Sequence, residues 1–320
     1  MVLGVAATLL IALIGANALA QSYPSKPIRL QVPFVSGGTP DIIARAVAGP
    51  LALVLGQPVN VEYRPGNGGA VGANDTAKSA PDGYSLGLAT VSTTAANPAF
   101  NPKVLYDALT DFTAIINIAV VPKVFAVHPS FPAKDHVDFV EALKKSPGKY
   151  TFASPGSGSE EHLRMALYQA LTGTVINHNA YRGAAPALME VVSGRAHMVL
   201  DSWPSAAEFI EVMRLRPILV AAPRRLPNLP QVPTFQEAGL ESLNRLAYYG
   251  IYAPQGLPKE IVEKINTAMR KVLQDPVVKK KIEDTGAMIV GNTPQQFADQ
   301  MKAELQIYKN VVESAKLKLQ

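Results

Sequence analysis

Short apolar runs of five or six residues alternate along this chain with longer stretches whose apolar positions recur every three or four residues. A two-residue period gives way to a 3.6-residue period and back again, which predicts an α/β architecture. Strands are expected at 28–33, 59–63, 84–89, 114–118, 124–128, 149–153, 175–180, 197–201, 217–222 and 247–253. Helices are expected at 40–55, 70–79, 135–145, 160–172, 184–193, 204–213, 233–238, 258–284 and 294–315. The last helix has the fullest start signal: Thr293 as N-cap, Pro294 in the first turn and Gln296 three residues after the cap. Phe297, Met301, Leu305, Tyr308 and Val312 then fall at helical spacing, as a core stripe does. The first helix carries Gly49-Pro50 inside its apolar repeat, and a proline there should kink or split it.

Two of the strand-to-helix joints are built from small residues. Val32-Pro33-Phe34-Val35-Ser36-Gly37-Gly38-Thr39-Pro40-Asp41 leaves an apolar strand, turns on two glycines and enters a helix. Glycine lets backbone approach a ligand closely, and a helix N-terminus presents unpaired N–H groups that favour an anion. Thr151-Phe152-Ala153-Ser154-Pro155-Gly156-Ser157-Gly158-Ser159 repeats the design about 115 residues later. Two such cradles predict a ligand held between two lobes. The chain crossings between lobes are expected near Val124–Ala133 and Leu246–Leu257, giving a first lobe of residues 21–124 and 248–320 and a second of 125–247.

Composition narrows the function. The chain has 320 residues, 48% hydrophobic and 17% charged, with a net charge of +5, enough apolar material for one large or two medium cores. Lysine and arginine are dispersed apart from Lys279-Lys280-Lys281 on a helical face, so nucleic acid is not an expected partner. There is no cysteine, which excludes disulfides, thiol nucleophiles, zinc-thiolate sites and a lipid-attachment cysteine. Residues 1–20 are almost wholly apolar and end in Ala18-Leu19-Ala20, which reads as a signal peptide cleaved near Ala20 and an exported, periplasmic protein. No basic residue precedes the apolar run, so the true start can lie upstream. The five histidines never take metal-ligand spacing, and G-x-S-x-G, G-x-x-x-x-G-K-[ST], H-E-x-x-H and G-x-G-x-x-G after a strand are all missing. Binding is therefore favoured over catalysis, with no metal or cofactor expected.

An ordered set of motifs carries a family resemblance from Tyr23 to the C-terminus: Tyr23-Pro24-Ser25-Lys26-Pro27-Ile28-Arg29, the Pro-Phe…Gly-Gly…Asp loop at 33–41, Leu55-Gly56-Gln57-Pro58-Val59, Arg64-Pro65-Gly66-Asn67-Gly68-Gly69, Ala80-Pro81-Asp82-Gly83-Tyr84, Pro147-Gly148-Lys149, and Tyr181-Arg182-Gly183-Ala184-Ala185-Pro186-Ala187-Leu188. The chain resembles the Bug-type substrate-binding proteins of tripartite tricarboxylate transporters. The resemblance implies a two-lobed periplasmic-binding-protein fold of the type II class, each lobe a mixed sheet flanked by helices. It also implies a small carboxylate enclosed in the cleft (a di- or tricarboxylate, an acidic amino acid or an aromatic carboxylate), a membrane permease as partner, and a monomer. Carried over by position, the first-lobe contacts are Phe34, Ser36, Gly37, Gly38, Thr39 and Asp41, with Ser92 and Thr93 from a third loop. The second lobe supplies Ser154, Gly156, Ser157, Gly158, Ser159, His162, Tyr181, Arg182 and Asp201.

Four departures from the family pattern stand out: Val35-Ser36 for a proline-rich pair, Ser157 for asparagine, Arg182 for lysine, and Glu160-Glu161 where the family is usually neutral. Acids in a first helical turn are favoured by the dipole, so Glu160 and Glu161 read first as helix-start residues. Facing the cleft, they would oppose a polyanion. Two further readings stay open: a sensory protein presenting its closed form to a membrane regulator, and a hydrolase or isomerase on a similar scaffold.

Overall fold

The computed structural model describes residues 23–318. The expected signal peptide and its cleavage site lie outside the described residues. Two sheets organise the chain. The first has six strands in the order β11-β4-β10-β3-β1-β2: β1 Ile28–Val32, β2 Val59–Tyr63, β3 Ser85–Thr90, β4 Phe112–Val121, β10 Ala247–Pro254 and β11 Met288–Ile289. The second has five in the order β7-β6-β8-β5-β9: β5 Lys123–Val127, β6 Thr151–Ser154, β7 Asn177–Ala180, β8 Met198–Ser202 and β9 Arg216–Ala221. Strands β1, β2 and β3 pair in parallel, as do β6, β7 and β8, whereas β10 and β5 are antiparallel to their neighbours. This is the mixed-sheet, two-lobed architecture expected from the sequence. The chain leaves the first sheet at Val121 and enters the second at Lys123, with only Pro122 between them, and it re-enters the first sheet at Ala247.

Helices cover both faces of the second sheet, so its inner strands need no polar face, whereas the edge strand β7 is polar and partly exposed. Phe125, Val127, Met198 and Leu200 point to one core with Phe139 and Tyr168. Val124, Ala126 and Val199 point to the other with Leu188, Val191 and Trp203. The alternation of side chains is preserved, but both sides are apolar, as strands buried on two faces require. The first lobe gathers a single larger core around Ile28, Leu30, Ile116, Ile251 and Phe297.

Several elements differ from expectation. The Thr39–Leu55 helix runs unbroken through Pro50, because Ile43, Val47 and Leu51 bury its inner face on both sides of the proline while Pro50 itself stays half-exposed. The expected 258–284 helix is two, Lys259–Gln274 and Pro276–Glu283, divided where the Asp275 side chain caps the second by accepting from Val277 and Val278 N–H. Residues 233–238 form turns. Ser92–Ala96 is a wide helical turn leading into Asn97–Phe100, and the short β11 had no legible period. The Thr293 capping box is present as expected.

Candidate functional site

The two lobes face each other at the carboxyl ends of β1, β3, β6 and β8, where open α/β sheets place ligands. Between them lies a small cavity. Its first-lobe wall is Phe34 and Pro40 after β1, Thr90, Val91 and Ser92 after β3, and Ala247, Tyr248 and Tyr249 at the start of β10. Its second-lobe wall is Pro155, Glu160 and Glu161 after β6, Ala184, and Asp201 at the end of β8. The first wall carries no charged side chain, and the second carries three carboxylates.

Local chemistry explains each placement. Thr90 and Thr93 bond reciprocally, Thr90 N–H to Thr93 Oγ1 at 3.1 Å and Thr93 N–H to Thr90 Oγ1 at 3.2 Å, which turns β3 into the helical segment and points Ser92 inward. Thr93 is spent on that turn. Ser92 Oγ accepts from Glu160 N–H at 3.0 Å, joining the lobes at the start of the Glu160–Thr172 helix. A second tie runs from Thr39 Oγ1 to Ser205 Oγ (3.0 Å) and from Ser205 Oγ to Asp201 Oδ2 (2.9 Å). A third is backbone against backbone. A Cβ on Gly68, whose φ is +59°, would sit 2.5 Å from Ser159 N and 2.8 Å from Gly158 C, so only glycine lets the lobes meet here. Asn97 Nδ2 donates to Asn67 O at 2.6 Å beside it.

The cradle amides divide unequally. In the second loop, Gly156 N–H donates to Ser154 Oγ, Gly158 N–H to His162 Nδ1 and Ser159 N–H to Gly156 O. Those three amides are satisfied within the second lobe, and the loop packs on Gly68 and Asn97. In the first loop Gly37 N–H donates to Asp41 Oδ2 at 2.9 Å, and Val35 N–H reaches Arg182 O. The N–H groups of Ser36, Gly38 and Thr39 bond no other described residue. Of the residues singled out from sequence, Phe34, Ser92 and Asp201 line the cavity. Gly38 and Thr39 sit buried at its first-lobe edge, while Ser36, Gly37 and Arg182 are exposed. Asp41 is held by Arg45 and Tyr63. Gly156, Ser157, Gly158 and Ser159 form the interlobe contact, with the Ser159 side chain capping His162 N–H, while Ser154 Oγ bonds Gly156 and His178 within the second lobe. Tyr181 bonds Glu190 away from the cavity. His162 lies beneath the loop, its ring stacked 3.8 Å from His178; burial first, and the neighbouring His178, lower its pKa to about 3, so it is a neutral acceptor that shapes the loop.

Glu160 and Glu161 face the cleft, and behind them lies Lys123, wholly buried and unremarked in the sequence. Lys123 Nζ bonds Glu161 Oε1 and lies 3.4 Å from Glu160 Oε2. Burial works against its charge, but the two carboxylates outweigh burial and raise its pKa. Arg164 Nη2 lies 2.7 Å from Glu160 Oε1, a close ion contact outside hydrogen-bond geometry. Burial raises the Glu160 pKa against the pull of Arg164 and Lys123. Glu161 Oε2 is buried with no hydrogen-bond partner among the described residues. Asp201 accepts from Ser202 N–H and Ser205 Oγ but has no cation in contact; burial, with Glu161 adding to it and Lys123 opposing, pushes its pKa up to about 6. Tyr248 and Tyr249 complete the floor through hydroxyl bonds to Thr94 and Ser202.

The family profile described as "Tripartite tricarboxylate transporter family receptor" matches residues 43–317. The chain belongs to that receptor family. Bordetella pertussis "Protein BugT" is 33% identical over 307 residues, covering 96% of this chain and 94% of BugT. A solved "periplasmic transporter" superposes with a TM-score of 0.90 at 43% identity, over 93% of this chain and all of that one. MatC from Rhodopseudomonas palustris, solved with bound malate, superposes with a TM-score of 0.88 at 30% identity, over 91% of this chain and all of MatC. The receptors of this family are substrate-binding proteins.

The raised pKa of Asp201 sets a pH dependence. Between its unfolded value near 4 and its folded value of about 6, the native state holds the proton more tightly than the unfolded chain does. Stability therefore falls as pH rises through that window, by roughly 3 kcal/mol for the two-unit shift. Asp201→Asn keeps an acceptor for Ser202 N–H, and Ser205 Oγ can donate to Ser202 O instead. The variant should be more stable than wild type at pH 7.5, with the gain shrinking toward pH 4.5. Urea titrations at both pH values check this; a variant less stable at pH 7.5 would refute the uncompensated charge.

Proposed function

We propose that this receptor captures a small carboxylate between its lobes and delivers it to the membrane permease of a tripartite tricarboxylate transporter, as an exported monomer beginning at Gln21. The observation carrying this reading is the set of N–H groups at Ser36, Gly38 and Thr39, left without described partners at the N-terminus of a 17-residue helix whose Pro40 lines the cavity. Donors and helix dipole together suit a carboxylate. The bound malate in MatC supports the same ligand class. Ser92, the Thr39–Ser205–Asp201 chain and the Gly68 contact are closing ties that would form when the lobes shut on a ligand.

A thermal-shift panel of mono-, di- and tricarboxylates against protein recovered from the periplasm tests the proposal. A true ligand at 100 times its dissociation constant should stabilise the fold by about 2.7 kcal/mol. The intact mass should match residues 21–320. A panel in which no carboxylate raises the melting temperature would refute the binding claim, and a mass retaining residues 1–20 would refute the processing claim.

A further inference from the structure

The two walls of the cavity have opposite electrostatic character. The first-lobe wall has no side-chain charge and includes Pro40 in the first turn of the Thr39–Leu55 helix, next to Gly38 and Thr39, whose N–H groups bond no other described residue. On the second-lobe wall the corresponding helix start carries Glu160 and Glu161 in its first turn, and their charge repels a ligand anion there. Lys123 and Arg164 supply two cations against the three carboxylates Glu160, Glu161 and Asp201, and neither cation lines the cavity. Nearby Arg245 is committed to Glu304. One carboxylate is therefore unmatched, and Glu161 Oε2, on a residue only 6% exposed, borders the cavity without a donor. An unpaired buried charge is costly, and a ligand ammonium would relieve it.

Resting on the carboxylate reading above, we propose that the ligand is an amino carboxylate, its carboxylate at the Gly38–Thr39 amides and its ammonium against Glu161 and Asp201. A metal ion is the weaker occupant, because no three acidic or histidine side chains converge as a metal site among the described residues. The raised pKa of Asp201 agrees with an anion awaiting a partner.

Calorimetry at pH 7.5 with matched pairs tests this: L-aspartate against succinate, L-glutamate against glutarate, 4-aminobutyrate against butyrate, and L-phenylalanine against 3-phenylpropionate, with 1,4-diaminobutane as a carboxylate-free amine. The expected result is an amino member that binds at least about tenfold tighter than its deamino partner, a preference that Glu161→Gln or Asp201→Asn reduces by a similar factor. Deamino members binding as tightly as their partners, or a preference surviving both substitutions, would overturn the amino requirement while leaving carboxylate capture intact. Binding of the diamine alone would instead overturn the carboxylate reading and the amino-carboxylate proposal with it. Failure of every probe would do the same.

Discussion

The structure depends on one buried arrangement: Lys123, at the first position of the strand entered directly from the other lobe, neutralising Glu160 and Glu161 at the opening of a helix. Putting an ammonium where no water reaches is costly unless carboxylates surround it, and two carboxylates in one helical turn are tolerable only with a cation beneath them. Each side therefore requires the other. Because Lys123 sits next to the Pro122 crossing, and Arg164 reaches Tyr308 and the backbone at Leu243 and Arg245, the same charges bind the interlobe junction together.

That arrangement lets one fold use two helix starts in opposite ways. The Thr39–Leu55 helix opens with glycine and proline and leaves the Gly38 and Thr39 amides without described partners. The Glu160–Thr172 helix opens with acids, follows a loop whose Gly156, Gly158 and Ser159 amides bond within the second lobe, and presents negative charge to the cavity. The cost appears in Asp201 and Glu161, a carboxylate without a contacting cation and an oxygen without a donor. Groups held in such unfavourable settings are typical of binding sites, where stability is traded for recognition.

Much of the fold was legible because it rests on local signals. The strands from Ile28 to Val32 and Val59 to Tyr63, the Thr293 capping box and the two glycine joints all follow from short-range pattern. What was not legible depends on contacts across the chain. Pro50 is tolerated because both flanking turns are buried, which no window around it reveals. Lys123 looked like a lone charge at the start of an apolar strand; a charge followed by four residues of unbroken core was the signal that it is buried with a partner. Glu160 and Glu161 fitted the helix dipole so well that their second role, lining the cavity, was hidden. Gly68 stood within a recognised motif, but its reason is the loop at Gly158–Ser159, ninety residues away in sequence.

The most direct test of this charge arrangement is a double-mutant cycle on Lys123 and Glu161, read as urea-unfolding free energies at pH 7.5. Lys123→Met alone should lose about 3–5 kcal/mol, the typical cost of leaving a buried charge without its partner. Adding Glu161→Gln should restore a large part of that loss, because the orphaned carboxylate is then gone. A single-variant loss below about 1 kcal/mol, or a second substitution that only adds to the first, would contradict a buried ion cluster as the basis of the site.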